Sequence, residues 1–112
     1  MNLNTKIWGP HAWFLIDSVC IGYPNNPTKK YKKNMKKFIY SLRYLLPCII
    51  CRNHFKTFCK NNPLDYDILK SKKKIILWII KAHNNSNEKN LTLNDFIENY
   101  ETIYNKKLYI DN

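Results

Sequence analysis

Glycine is scarce, with two in 112 residues, while aromatics are plentiful and five prolines are spaced like punctuation. That profile argues against disorder and favours a compact helical fold. No apolar run approaches the roughly 20 residues needed to cross a bilayer. The opening "MNLNTKIWGPHAW" lacks the basic start, apolar core and small-residue cleavage site of a signal peptide. These absences predict a soluble chain that is made and works in the cytoplasm. Alternating or β-branched runs are also missing, so no sheet is expected and a thioredoxin-like arrangement, with a CxxC after a strand, is excluded. The length suits one domain, residues 1–112.

Cysteine is too sparse for the disulfide scaffold of a small secreted domain: Cys20, Cys48, Cys51 and Cys59 are the four. In a chain without a signal peptide, a CxxC points to redox chemistry or to metal. Charge is the abundant commodity. The net value is +11, concentrated in "KKYKKNMKK" and "KSKKK". A solvated lysine face accounts for it most simply; a polyanion surface for nucleic acid, an anionic membrane or an acidic partner is the sharper reading. Lysine here travels with Asn and Ile, as A/T-rich coding would produce, which weakens the case for nucleic acid.

Helical spacing runs through most of the chain. Trp13, Ile16, Cys20 and Tyr23 repeat along the first segment. "YPNNP" breaks it, and Thr28 is a candidate N-cap for the next helix, whose apolar stripe runs Tyr31, Met35, Phe38, Ile39, Leu42, Leu45 and Leu46. Pro47 ends that helix and can open another over "CIICRNHFKTFCKN". "LDYDILKS" reads as a loop or a short turn of helix. Ser71 is a candidate cap for "KKKIILWIIKAHNNSNEK", and Thr92 with Asp95 has the form of a capping box for "TLNDFIENYETIYNKK". Five helices, four of them substantial, predict an all-α helical bundle.

Three constellations can carry chemistry. Cys48 and Cys51, three apart at a helix start, lie on one side about 60° apart and can bridge with little backbone movement. Unpaired N–H groups, the positive helix end and Arg52 favour a thiolate there, the attacking species in disulfide exchange. Buried, inert cysteines are the bland alternative. Zinc held by Cys48, Cys51, His54 and Cys59 is another, but a straight helix would carry Cys59 about 16 Å from Cys48. The second constellation is "WIIKAHNNSNEK", where His83 and Asn87 share a face with Asn84 beside them: either a helix end wetting out or a pocket orienting a large planar ligand. In the third, Gly9, Trp13 and Asp17 fall at i, i+4, i+8, which could make a flat slot or an ordinary core.

Together, "WGPHAWFLI…YP" (8 to 24), "LPCIICRNHF" (46 to 55) and "WIIKAHNNSN" (78 to 87) resemble the FAD-linked sulfhydryl oxidases of the Erv/ALR type, most closely the minimal oxidases of large DNA viruses. The resemblance implies a four-helix bundle with a short fifth helix and FAD at one end. It implies a homodimer that oxidises thiols to disulfides and passes electrons through flavin to oxygen, releasing hydrogen peroxide. By position, Cys51 would be the flavin-proximal cysteine and Cys48 the interchange cysteine. Trp8, Gly9, Trp13 and Asp17 would line the cofactor slot from the first helix. Trp78, His83, Asn84 and Asn87 would grip FAD from the fourth, with Lys89 near the pyrophosphate and Tyr100 or Tyr104 closing the pocket. No metal is implied.

Asp17 stands where the family usually has histidine, and Ser86 where it usually has valine. No cysteine follows Cys59, so the family's shuttle CxxC and its structural disulfide near the fourth helix are missing. Thiols would then come from a protein substrate or a separate shuttle protein. Cys20 and Cys59 read as free and buried, with a disulfide between them as the alternative. A viral assembly site in the host cytoplasm, or the virion, would suit such a protein. The competing function is a small basic zinc module that binds nucleic acid.

Overall fold

The structure, a computed structural model, describes residues 1–111. It contains six helices: α1 (Thr5–Ile21), α2 (Lys29–Leu45), α3 (Ile49–Asn61), α4 (Tyr66–Leu69), α5 (Lys72–Asn87) and α6 (Leu93–Tyr104). Among the described residues there is no strand. The one addition to the expected elements is α4, a single turn inside "LDYDILK", started by the Asp65 carboxylate accepting from the Ile68 N–H at 3.1 Å. No helix is long and apolar enough to cross a membrane.

Local chemistry sets the helix starts. Thr28, Ser71 and Thr92 each present a side-chain oxygen to the backbone N–H three residues on. Thr92 and Asp95 complete a reciprocal capping box. α1 begins earlier than its proline suggests. Asn4 is the cap, and Pro10 lies inside the helix, where its missing N–H leaves the Lys6 carbonyl without an i+4 donor.

α5 is the axis of the fold, touching α1, α3, α4 and α6. Ile75, Ile76, Trp78, Ile79, Ile80 and Ala82 are all buried, so this helix is apolar around most of its circumference and has to be enclosed. Each fully buried isoleucine contributes about 2–3 kcal/mol of transfer free energy. The other long helices bury narrower stripes, such as Ile16, Asp17 and Cys20 on α1 and Met35 and Ile39 on α2. Tyr23, wholly enclosed, donates its hydroxyl to the Leu69 carbonyl at 2.5 Å and ties the α1–α2 turn to α4. Cys20 and Cys59 are free and buried, not paired with each other.

Candidate active site

The turn between α2 and α3 carries the cysteine pair. Leu46, extended with ψ of 134°, has the backbone expected of a residue before proline, and it terminates α2. Pro47 therefore ends one helix but does not enter the next, which starts two residues later at Ile49. Cys48 is the N-cap of α3, with extended backbone, rather than part of its first turn. Its Sγ accepts from the Cys51 N–H at 3.3 Å. The two cysteines form a disulfide across a Cα–Cα distance of 5.2 Å.

The N-terminal segment straps this turn. The Asn2 side chain accepts from the Ile49 N–H at 2.9 Å, the Leu3 N–H donates to the Pro47 carbonyl at 2.8 Å, and Arg52 Nε donates to the Leu46 carbonyl at 2.5 Å. Asn2 was invisible to pattern reading because it caps a helix 47 residues away in sequence. Arg52 follows Cys51 in sequence, and its hydrogen bond to Leu46 keeps its side chain on this turn.

Cys51 borders a cavity of about 720 Å³ between α1, α2, α3 and α5, within the size range of cofactor pockets. Cys48 does not border it. α1 contributes Trp8, Gly9 and Trp13 to the wall, α3 contributes His54 and Phe55, and α5 contributes Ile79 and His83. Asn85, Ser86, Asn87, Glu88 and Lys89 form a polar mouth, with Lys6 facing them from α1. A Cβ built on Gly9 meets no heavy atom within 4 Å, so this stretch of wall stands open.

Trp13 and His83 stack, ring centroids 3.7 Å apart at 27°. Behind them lies Asp17, 2 % exposed. His83 Nε2 sits 2.8 and 2.9 Å from the two Asp17 oxygens, and the Tyr100 hydroxyl donates to Oδ2. Burial together with this carboxylate pushes the Tyr100 hydroxyl pKa far above its usual range, and burial with Asp17 does the same to the Cys20 thiol.

Five residues expected at the cofactor do not border the cavity. Asp17 and Tyr100 are one layer back, orienting His83 rather than facing the cavity. Trp78 is turned away, with its Nε1 donating to the Asn62 carbonyl at 2.9 Å and its ring edge-on to Phe55 and Phe58. Asn84 has both amide groups engaged by Leu91, at 3.1 and 2.8 Å, and so fixes the α5–α6 loop. Tyr104 pairs its hydroxyl with Ser18, also outside the cavity. On α5 the cavity is bordered by Ile79, His83, Asn85, Ser86 and Asn87, and not by Trp78 or Asn84. His54 and Phe55 were missed as wall residues, although His54 is three residues from Cys51 and shares its side of α3.

The zinc alternative is not supported. Cys48 and Cys51 are bonded to each other, and among the described residues no three or more of His, Cys, Asp and Glu gather as a metal ion requires.

The arrangement joins a disulfide to a slot walled by flat rings. One cysteine borders the slot and the other faces away. Such a slot accepts a large planar ligand, and its amide- and lysine-lined mouth suits an anionic end. Comparison with known proteins agrees. The family model described as "Erv1 / Alr family" matches residues 10–105. The "Probable FAD-linked sulfhydryl oxidase R368" of Acanthamoeba polyphaga mimivirus is 35% identical over 109 residues, 94% of this chain and 76% of that protein. The "Mitochondrial FAD-linked sulfhydryl oxidase ERV1" of Saccharomyces cerevisiae is 31% identical over 81 residues, 72% of this chain but 41% of that protein. In fold, the chain is similar to the FAD binding domain of Erv1 from Saccharomyces cerevisiae, with a TM-score of 0.81, 24% identity, and coverage of 90% of this chain and 97% of that one.

Proposed function

The chain belongs to the Erv1/Alr family, and from that premise we propose that it is an FAD-linked sulfhydryl oxidase which makes disulfides in protein thiols. The observation that carries this reading is the position of Cys51, bonded to Cys48 on one side and bordering the slot on the other. FAD fits the residues present. Trp8, Trp13, Phe55 and His83 offer flat surfaces for an aromatic ring system, Gly9 leaves room for close approach, and Asn87, Lys89 and Lys6 suit a pyrophosphate. When bound, FAD supplies a two-electron acceptor that oxygen reoxidises, with hydrogen peroxide as the product.

The protein's own steps follow from the disulfide. A substrate thiolate attacks Cys48 Sγ, forming a mixed disulfide and expelling Cys51 as a thiolate. The positive end of α3 and Arg52 stabilise that thiolate. A second substrate thiolate then attacks the mixed disulfide, releasing the oxidised substrate and leaving Cys48 reduced. Two electrons have entered the Cys48–Cys51 pair, the two protons having left the substrate thiols when they ionised, and Cys51 hands the electrons on because it borders the slot. His83, held by Asp17 and stacked on Trp13, keeps one wall rigid.

Residues 1–112 act as one domain. The thiols come from a protein substrate or a separate shuttle protein, with oxygen as the acceptor. Ile7, Phe14 and Leu15 are exposed along α1 and suit pairing of two copies. Relatives in large DNA viruses support work in the host cytoplasm at assembly sites or in the virion. The test is an oxygen electrode: purified protein reconstituted with FAD should consume oxygen on adding dithiothreitol and release peroxide. A folded, FAD-reconstituted sample without oxygen uptake refutes the proposal.

A further inference from the structure

The charge of this chain is not spread over it. Between Asp17 and Asp65 there is no acidic residue, and this stretch, which contains α2 and α3, holds ten Lys and Arg. Ten of the net eleven positive charges therefore lie on the part that carries the cysteine pair. Among the described residues, no ion pair involves a lysine of α2 or α3. Lys70 and Lys74 pair with Asp67, and His83 pairs with Asp17.

The positive side chains are interleaved with tyrosines along one side of α2. Lys33, Lys36, Lys37 and Arg43 border a shallow concavity with Tyr40 and Tyr44. The Arg43 guanidinium carbon sits 4.1 Å from the centre of the Tyr40 ring and 5.1 Å from that of Tyr44. Lys56 of α3 sits 4.9 Å from the Tyr44 ring, so the strip crosses from α2 to α3. It then meets an apolar collar around Cys48, formed by Leu45 at 69%, Ile49 at 51% and Ile50 at 66% exposure.

A solvated lysine face would satisfy solubility with both signs interspersed. A field of one sign instead attracts the opposite charge and costs stability through self-repulsion. Its confinement to the helices that hold the disulfide, and its end beside Cys48, place that attraction where a thiol donor must arrive. We propose that the thiol donor of this enzyme is an acidic polypeptide. Its carboxylates lie along the Lys33–Arg43 strip, an apolar residue beside its cysteine covers Ile49 and Ile50, and its thiolate reaches Cys48. The chemistry is the exchange already described, with two electrons passing from the donor's two thiols to the Cys48–Cys51 disulfide. The inference rests on the oxidase reading and names the substrate class for it.

Two synthetic peptides test it. They share one reduced CxxC core with an apolar neighbour; one is flanked by glutamates and the other by lysines. Steered association gains about 10-fold or more in rate at low ionic strength and loses it on screening. The acidic peptide should show a kcat/KM at least about 10-fold higher than the basic one at about 20 mM salt, converging by about 300 mM. K33E/K36E/K37E should abolish or reverse that preference while dithiothreitol turnover stays unchanged. Equal kcat/KM for the two peptides on the unsubstituted protein overturns the proposal whatever the variant does. So does tight, salt-sensitive binding of an oligonucleotide without peptide discrimination, which would reassign the strip to nucleic acid. Absence of dithiothreitol turnover in the unsubstituted, FAD-loaded protein is the separate failure of the oxidase reading.

Discussion

Asp17 holds His83 through both carboxylate oxygens, at 2.8 and 2.9 Å, across 66 residues of sequence. The same carboxyl group takes the Tyr100 hydroxyl, so one buried side chain fastens α1 to α5 and α6 and keeps His83 flat on Trp13. Asp17→Ala would orphan both partners. It should destabilise the apo-protein by about 2–4 kcal/mol and release FAD, since a buried network that loses one member costs more than its hydrogen bonds alone. Asp17→Asn keeps one acceptor and should lose less on both counts. Urea unfolding of apo-protein and a fluorimetric FAD titration measure the two effects. Unchanged FAD affinity in Asp17→Ala would show that the His83 wall does not need its anchor.

Gly9 tests the slot itself. Valine there meets no protein atom at Cβ, so the apo-fold should keep its stability to within about 0.5 kcal/mol. FAD affinity should fall by at least about tenfold, because the added methyls enter space that bears on the cofactor. Thermal melts of apo-protein with flavin titration separate the two. Normal FAD binding in Gly9→Val would place the cofactor away from α1.

The two cysteines of the pair should fail differently. Cys51→Ala should retain FAD and lose turnover with every thiol donor. Cys48→Ala should retain FAD and leave Cys51 as a lone thiol bordering the cavity, unable to form a disulfide for a protein substrate to attack. Turnover of a reduced protein substrate by Cys51→Ala at the unsubstituted rate would reverse the assigned order.

Burial raises the Cys59 thiol pKa from 9.0 to about 11, with Arg43 opposing, and raises that of Cys20 further. After reduction, two of the four thiols should react rapidly with a thiol reagent in the native protein and two only on unfolding. The unfolded chain releases its thiol protons near pH 9 while the folded chain keeps them. Stability contributed by these groups is thus full below pH 9 and declines as pH rises toward about 11. Urea midpoints at pH 8, about 9.5 and about 10.5 check the sign; a rise in stability over that window would contradict it.

Much of this site is written in short-range pattern. The caps at Thr28, Ser71 and Thr92 are legible because a cap needs only its own helix. Trp13 and His83 were legible as motif members because each sits on a helix stripe. Long-range pairings left no local trace. Asn2 caps α3 and Asp17 binds His83 across distances that periodicity does not encode, so Asp17 read as a cofactor contact instead of an anchor. Trp78 and Asn84 were read in one block with His83, but their polar groups are taken by Asn62 and Leu91, pairings that the block does not encode. α4 was ambiguous because four residues carry too little pattern to separate a turn from a helix.

Electron passage from Cys51 to a flavin in the slot is read most directly in the visible spectrum of FAD-loaded protein during an anaerobic dithiothreitol titration. The oxidised flavin band should bleach in the unsubstituted protein, return on admitting air, and persist in Cys51→Ala under the same addition. A band that does not bleach in the unsubstituted protein, or bleaches equally fast in Cys51→Ala, would contradict the account.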